Sequence, residues 1–208
     1  MSLLNLIAKG GFLMYVLTVI SVISIGIVIE KYRQFRKVRL ANYKLLQTLK
    51  GQDKLENYRA LINMHNSSCP MGVMLDKLFN SQSDDLDLIN QSMEATANLE
   101  LHRLEKGLGW LSTFAAIAPL IGFLGTVIGM VNVFMKIQAG SQSGVDISML
   151  AGGIWVALLT TVGGLIVGIA TIIFYNDLVQ KLENIVKDMQ DTAIEYIIKY
   201  KNLKQSKL

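Results

Sequence analysis

The chain is poor in cysteine, proline and histidine, with one, two and two in 208 residues. A single cysteine excludes an intrachain disulfide and with it a disulfide-stapled secreted scaffold. Two prolines leave long stretches with no helix breaker. Charge is also scarce: 17% of residues are Asp, Glu, Lys or Arg, against about 25% in ordinary soluble domains. Half the chain, 51%, is hydrophobic, which excludes a disordered chain and argues against an ordinary soluble enzyme. The net charge of +4 would point weakly to nucleic acid in a soluble protein. Here the distribution of charge says more than its sum.

The charges leave three gaps. Twenty residues between Lys9 and Glu30, 29 between Lys106 and Lys136, and 30 between Asp146 and Asp177 contain no Asp, Glu, Lys or Arg. A helix rising ~1.5 Å per residue crosses a ~30 Å hydrocarbon core in about 20 apolar residues. Each gap is long enough, and three of them argue for membrane spans over helices buried in a soluble core. The second and third exceed the bilayer, so those helices tilt or continue into water. The first gap does not look like a cleaved signal peptide. Its bases (Lys31, Arg33, Arg36, Lys37, Arg39) follow the apolar stretch, and no Ala-x-Ala site ends it.

Basic residues also predict the orientation. Residues 31–106 carry 12 Lys and Arg, the loop after the second gap carries Lys136 alone, and the tail after Asp177 carries six. By the positive-inside rule the middle segment and the tail are cytoplasmic, while the N-terminus and the loop around Gly140 to Gly144 face the other side. The expected organisation is an all-α membrane protein with long cytoplasmic helical extensions. Its parts are the N-terminus and first span (1–30), a cytoplasmic helical segment (31–106), a second span (107–135), a short outer loop (136–150), a third span (151–176) and a cytoplasmic C-terminal helix (177–208).

In the water-facing parts, Tyr32, Phe35, Val38, Tyr43, Leu45 and Leu46 recur with a roughly helical period. Asn66 to Gly72 reads as a turn, and Ser81 to Asp85 as a second break with Ser83 capping a helix from Asp84. From there Leu86, Ile89, Met93, Ala97, Glu100, Leu101 and Leu104 run without a breaker into the second span, predicting one continuous helix. Leu178, Leu182, Ile185 and Met189, then Ile194, Ile197 and Ile198, form an apolar stripe on the tail helix, which calls for a bundle partner. His65 and Cys69 are four apart, but Pro70 is adjacent and no second ligand pair exists for a metal. His102 reads as an exposed helix residue. No nucleophile–base pair, phosphate loop or other catalytic motif is present, and no cofactor is expected. The bases from Lys31 to Arg39 could suggest nucleic acid, but directly after a span they fit a topology signal beside anionic lipid.

The second span carries Pro119, Gly122, Thr126, Gly129 and Val133 along one helical face, with Gly125 nearby. The third carries Ala157, Thr161, Gly164, Gly168 and Thr171. Such small-residue seams let helices approach closely in lipid. Thr126 and Thr161 fall on these seams, and the pitch turns Thr160 about 100° away. A threonine here can bond its own i−4 carbonyl and serve packing alone, or line an ion path. Neither span contains an ionisable carboxylate, lysine, arginine or histidine. Alone, the chain cannot hold a proton at mid-membrane, so a proton-driven machine would need that group from another subunit.

Ala118 to Met130 (APLIGFLGTVIGM) with Phe134 resembles the second-span signature of the MotA/TolQ/ExbB proton-channel family, closest to ExbB or TolQ. Ala157 to Leu165 (ALLTTVGGL), ending in Tyr175-Asn176, resembles the third-span signature, and Glu30 with its following bases resembles the first-span exit. The resemblance covers essentially the whole chain. It implies a homopentamer in the bacterial inner membrane, N-terminus periplasmic, with the second and third spans around a central pore. It also implies an ExbD- or TolR-like single-span partner carrying a membrane aspartate, and a TonB- or TolA-like protein that receives the work. By motif position Thr126 and Thr161, with Thr160 beside them, would line the ion path, for H+ with Na+ as the alternative. Pro119, Gly122, Gly125, Gly129, Gly164 and Gly168 would pack the helices. Two positions depart from some relatives: Val156, beside Trp155, replaces a glutamate, and Ala170 replaces a proline.

Overall fold

The computed structural model describes residues 11–52, 55–65, 69–81, 85–139 and 147–205. These form six α-helices: α1 (Gly11–Leu49), α2 (Leu55–His65), α3 (Pro70–Phe79), α4 (Leu86–Glu105), α5 (Leu108–Ala139) and α6 (Ile147–Gln205). No strand occurs among the described residues. The chain divides into two compact units, one of Met1–Ile29 with Gly107–Asp177, the other of Glu30–Lys106 with Leu178–Leu208. The Gly140 to Gly144 loop and Ser83 lie outside the described residues.

The first unit is apolar. Helices α1, α5 and α6 are each long and apolar enough to cross a membrane, and only 22%, 22% and 28% of their most apolar stretches is buried within the chain. Phe12, Val22, Phe123, Phe134, Ile166 and Ile173 are among the exposed side chains. That surface requires lipid or further subunits, since apolar area left in water costs about 25 cal/mol per Å². Leu17, Ile20, Ser24 and Val28 form the inward stripe of α1 at helical spacing. Gly163 of α6 leaves room for Met14 of α1, whose Sδ lies 3.1 Å from where a β-carbon would sit.

In the second unit α3 is the most enclosed helix, burying Pro70, Met71, Gly72, Met74, Leu75, Leu78 and Phe79. Tyr58 stacks on Phe79 at 4.9 Å, and Tyr196 and Tyr200 of α6 meet the Phe79 ring edge-on at 6.2 and 5.9 Å. Cys69 donates from its thiol to Asn42 Oδ1 at 2.8 Å; burial pushes that thiol's pKa up, against backbone hydrogen bonds at Gly72 and Met71 that lower it. Lys31, only 4% exposed, donates to Gln34 Oε1 at 2.8 Å and to the Leu104 carbonyl at 3.1 Å. It thereby satisfies a carbonyl in the last turn of α4, where the helix dipole favours a cation. Burial holds its pKa below the usual lysine value, partly offset by Glu30.

Four expectations change. The helix entering the second span is not continuous: α4 ends at Glu105, and Gly107 adopts φ +98 before α5 begins. A glycine just past a helix end takes this conformation without a Cβ penalty. The cap of α4 is Asp85, which accepts from the Asp87 and Leu88 amides. The turn before α3 is shorter than expected, because Pro70 with its preset φ starts the helix at once. On the tail, Ile194 and Ile198 are exposed, and Thr192, Tyr196 and Tyr200 hold the buried stripe instead. The aromatic cluster around Phe79 selects that face.

Candidate functional site

The site is the seam between α5 and α6, which run antiparallel. Four glycines decide how closely the helices approach. A β-carbon at Gly122 would lie 3.0 Å from the Thr160 carbonyl oxygen and 3.1 Å from the Gly164 and Thr161 α-carbons. One at Gly164 would lie 2.6 Å from the Ala118 carbonyl oxygen. One at Gly129 would lie 2.6 Å from the Ala157 β-carbon, and one at Gly125 would overlap the Thr160 side chain, 2.7 Å from its β-carbon. Any side chain at these positions forces the helices apart.

Pro119 adds a second device. It has no amide hydrogen, so it removes the helical hydrogen bond to the Ala115 carbonyl four residues back. The structure places Gly168 against this spot: a β-carbon there would lie 2.6 Å from Pro119 Cγ and 3.2 Å from the Ala115 oxygen. The helix α5 continues through the proline, with the smallest residue of α6 facing it.

The three threonines divide into different environments. Thr160, expected to turn off the seam, is the one buried in it, at 2% exposure. Its hydroxyl donates to the Ala157 carbonyl at 2.7 Å, and its body fills the notch at Gly125. Thr161 is half-buried and donates across the helices to the Gly122 carbonyl at 2.9 Å. Thr126, also half-buried, donates to the Phe123 carbonyl three residues back at 2.7 Å. The seam's centre is therefore Ala118, Gly122, Gly125 and Gly129 against Ala157, Thr160, Gly164 and Gly168, with Thr126 and Thr161 at its edges.

This geometry sets the chemistry available. All three hydroxyl protons are already committed to carbonyls, yet each hydroxyl oxygen keeps acceptor capacity. Thr126 and Thr161 can accept from water or from a protonated carboxyl as they stand. To donate to a carboxylate, Thr161 must leave the Gly122 carbonyl. Thr160 is closed to any partner while the helices stay together.

Two further polar residues belong to this unit: Thr171, on the α6 face that its spacing predicts, and Ser24, which no sequence motif marks. Thr171 is buried and donates to its own Val167 carbonyl at 2.7 Å. The Ser24 hydroxyl of α1 is buried with no hydrogen-bond partner. Its signal was its place on the Leu17, Ile20, Val28 stripe, where a polar residue breaks an apolar run. Val156 is half-buried, Trp155 and Ala170 are exposed, and α6 runs unbroken through Ala170.

The MotA/TolQ/ExbB proton channel family model matches residues 59–191, which include the whole seam. The chain belongs to the MotA/TolQ/ExbB proton channel family. It is 28% identical over 174 residues to an ExbB-like biopolymer transport protein of Synechocystis, covering 80% of each chain. It is 32% identical over 106 residues to the Tol-Pal system protein TolQ of Haemophilus influenzae, covering 51% of this chain and 46% of TolQ. It is 27% identical over 135 residues to the biopolymer transport protein ExbB of Salmonella typhimurium, covering 59% and 54%. The chain thus spans about half the length of the TolQ and ExbB proteins it matches. As a member of the proton channel family it is a membrane protein and not one of a known enzyme family. Thr126, Thr160 and Thr161 place hydroxyl groups at the α5–α6 seam.

Proposed function

We propose that this chain is the ExbB/TolQ-like subunit of an inner-membrane motor driven by the proton-motive force. Five copies surround a pore lined by α5 and α6, with the N-terminus periplasmic and the residue ranges 31–106 and 177–208 cytoplasmic. An ExbD/TolR-like single-span partner supplies the membrane carboxylate, and a TonB/TolA-like protein carries the work outward to outer-membrane transport. The observation that carries this reading is the pairing of two facts at one seam. Hydroxyls of Thr126 and Thr161 stand at the seam's edges with acceptor capacity, and the charge-free stretches of α5 and α6 hold no Asp, Glu, His, Lys or Arg. The seam can bind a proton carrier but cannot be one. Thr126 and Thr161 then act as the residues that meet the partner's carboxyl, and Thr160 as the wedge that keeps them in place. A TolQ-type role in envelope integrity or a surface-motility motor would use the same seam.

Native mass spectrometry of the complex drawn gently from its own membranes tests this. The expected mass is five copies plus a small single-span protein with a membrane aspartate. A monomer or dimer without such a protein overturns the reading in favour of a non-conducting scaffold.

A further inference from the structure

Helices α1 and α6 enclose a second feature, outside the seam and within the second unit. A half-open cleft of about 670 Å³ is lined by Arg33, Arg36 and Arg39 of α1 and by Lys181, Asn184 and Asp188 of α6. Its volume falls within the roughly 300–1,000 Å³ of small-molecule sites. At ~100° per residue the three arginines occupy an arc of about 120° on α1, so all can turn into one cleft. Four bases face one acid. Arg33, Arg36 and Arg39 make no ion pair among the described residues. Lys181 is held over the Tyr32 ring at 5.1 Å, which fixes one wall.

The cleft's place along the chain supplies the second argument. Arg33 follows Ile29, the last residue of the first charge-free stretch, by four positions on the same unbroken helix. Lys181 follows Asp177, which closes the third stretch, by four positions on α6. At ~1.5 Å per residue each lies about 6 Å along its helix from the apolar part. That is the depth of the headgroup layer, where basic residues meet anionic lipid.

We propose that this cleft binds the phosphate of an anionic phospholipid headgroup. Arginine's planar fork matches phosphate oxygens in pairs, and its charge is permanent. The proposal rests on the membrane-spanning reading of α1 and α6 and not on ion-driven work. One lipid held between the two helices would tie their membrane exits together.

The test uses the full-length protein in nanodiscs of phosphatidylcholine, with and without phosphatidylglycerol. Bound lipid is then read by native mass spectrometry after transfer to detergent. Wild type should retain phosphatidylglycerol over phosphatidylcholine. The double variant Arg33→Gln/Arg36→Gln, at exposed positions, should weaken retention by about fivefold per charge removed. Lys181→Gln should weaken it in the same direction if the double variant fails to assemble. Lys44→Gln/Lys201→Gln, which removes two exposed charges outside the cleft, should leave it unchanged. Equal retention by cleft and control variants overturns the proposal. So does displacement of the lipid by inorganic phosphate at matched concentration, which would assign the cleft to a soluble anion. Loss of subunits from the cleft variant without loss of lipid per subunit would assign it to a contact between copies and also overturn the proposal. Because the readout is lipid mass, its failure leaves the motor reading intact, and failure of ion flux leaves the lipid site intact.

Discussion

Tyr196 shows how one side chain ties pH to stability. Its ring is buried between Tyr58 and Phe79, and burial first, then the charge of Glu195 and the Tyr58 phenol, push its pKa up to about 12. An unfolded tyrosine titrates near 10. Its contribution is therefore complete below about pH 10 and is lost as pH rises toward the folded value, because the unfolded chain gives up the proton first. Tyr196→Phe keeps the ring and removes the titration. Unfolding followed by circular dichroism in detergent across a pH series should show a constant difference between the two chains up to about pH 10. Above that, wild type should fall relative to the variant; parallel curves throughout would refute the buried phenol. The same scale explains Thr160. The spacing puts Thr161 on the small-residue seam and turns Thr160 about 100° away, but the notch that Gly125 opens on the facing helix takes Thr160 instead.

At the scale of the element, continuity is the property most legible from sequence. The heptad-like stripe Ala157, Thr160, Gly164, Gly168, Thr171, Leu178, Leu182, Ile185 and Met189 keeps one face of α6 buried through its apolar and polar parts. The charge-free stretches, the extension of α1 past Arg39 and the helical tail follow from such periodicity. What periodicity does not reveal is a backbone device of one residue. The joint at Gly107 is such a case, because the apolar pattern runs on across it while φ turns to +98. Gly107→Ala should lower the melting stability by about 1 kcal/mol or more, since a Cβ opposes that conformation. Gly109 sits inside α5 with open space where a Cβ would go, so Gly109→Ala should raise stability by about 0.5–1 kcal/mol. Thermal melts of both variants check this pair; equal signs would mean the joint is not as described. Beyond Met189 the buried face of the tail departs from the expected stripe for a related reason. Isoleucines at 194 and 198 and tyrosines at 196 and 200 offer two faces of similar apolar size, and the Tyr58–Phe79 stack, formed far away in sequence, chooses the aromatic one.

At the scale of the whole molecule, three spans and a polar-atom seam require something outside the chain. Less than a third of each apolar stretch is buried within the chain, and the threonine hydroxyls are spent on carbonyls rather than on each other. Both facts fit a subunit whose remaining surface faces lipid, its own copies and a carboxylate-bearing partner. The family was legible from the residues around Gly122 and Thr161 because those residues are small for a reason that sequence displays: helix approach in lipid. The proposed oligomer and partner rest on the resemblance alone, because nothing within one chain fixes how many copies surround it. The most direct measurement is ion flux through vesicles that hold the chain with its single-span partner, driven by an imposed proton gradient and repeated with a sodium gradient. Thr161→Val should abolish the flux while the subunit count stays unchanged, and Thr161→Ser, which keeps the hydroxyl, should restore most of it. Full flux through Thr161→Val, with Gly164→Leu losing flux only by breaking the assembly, would contradict the account and leave the seam a packing device alone.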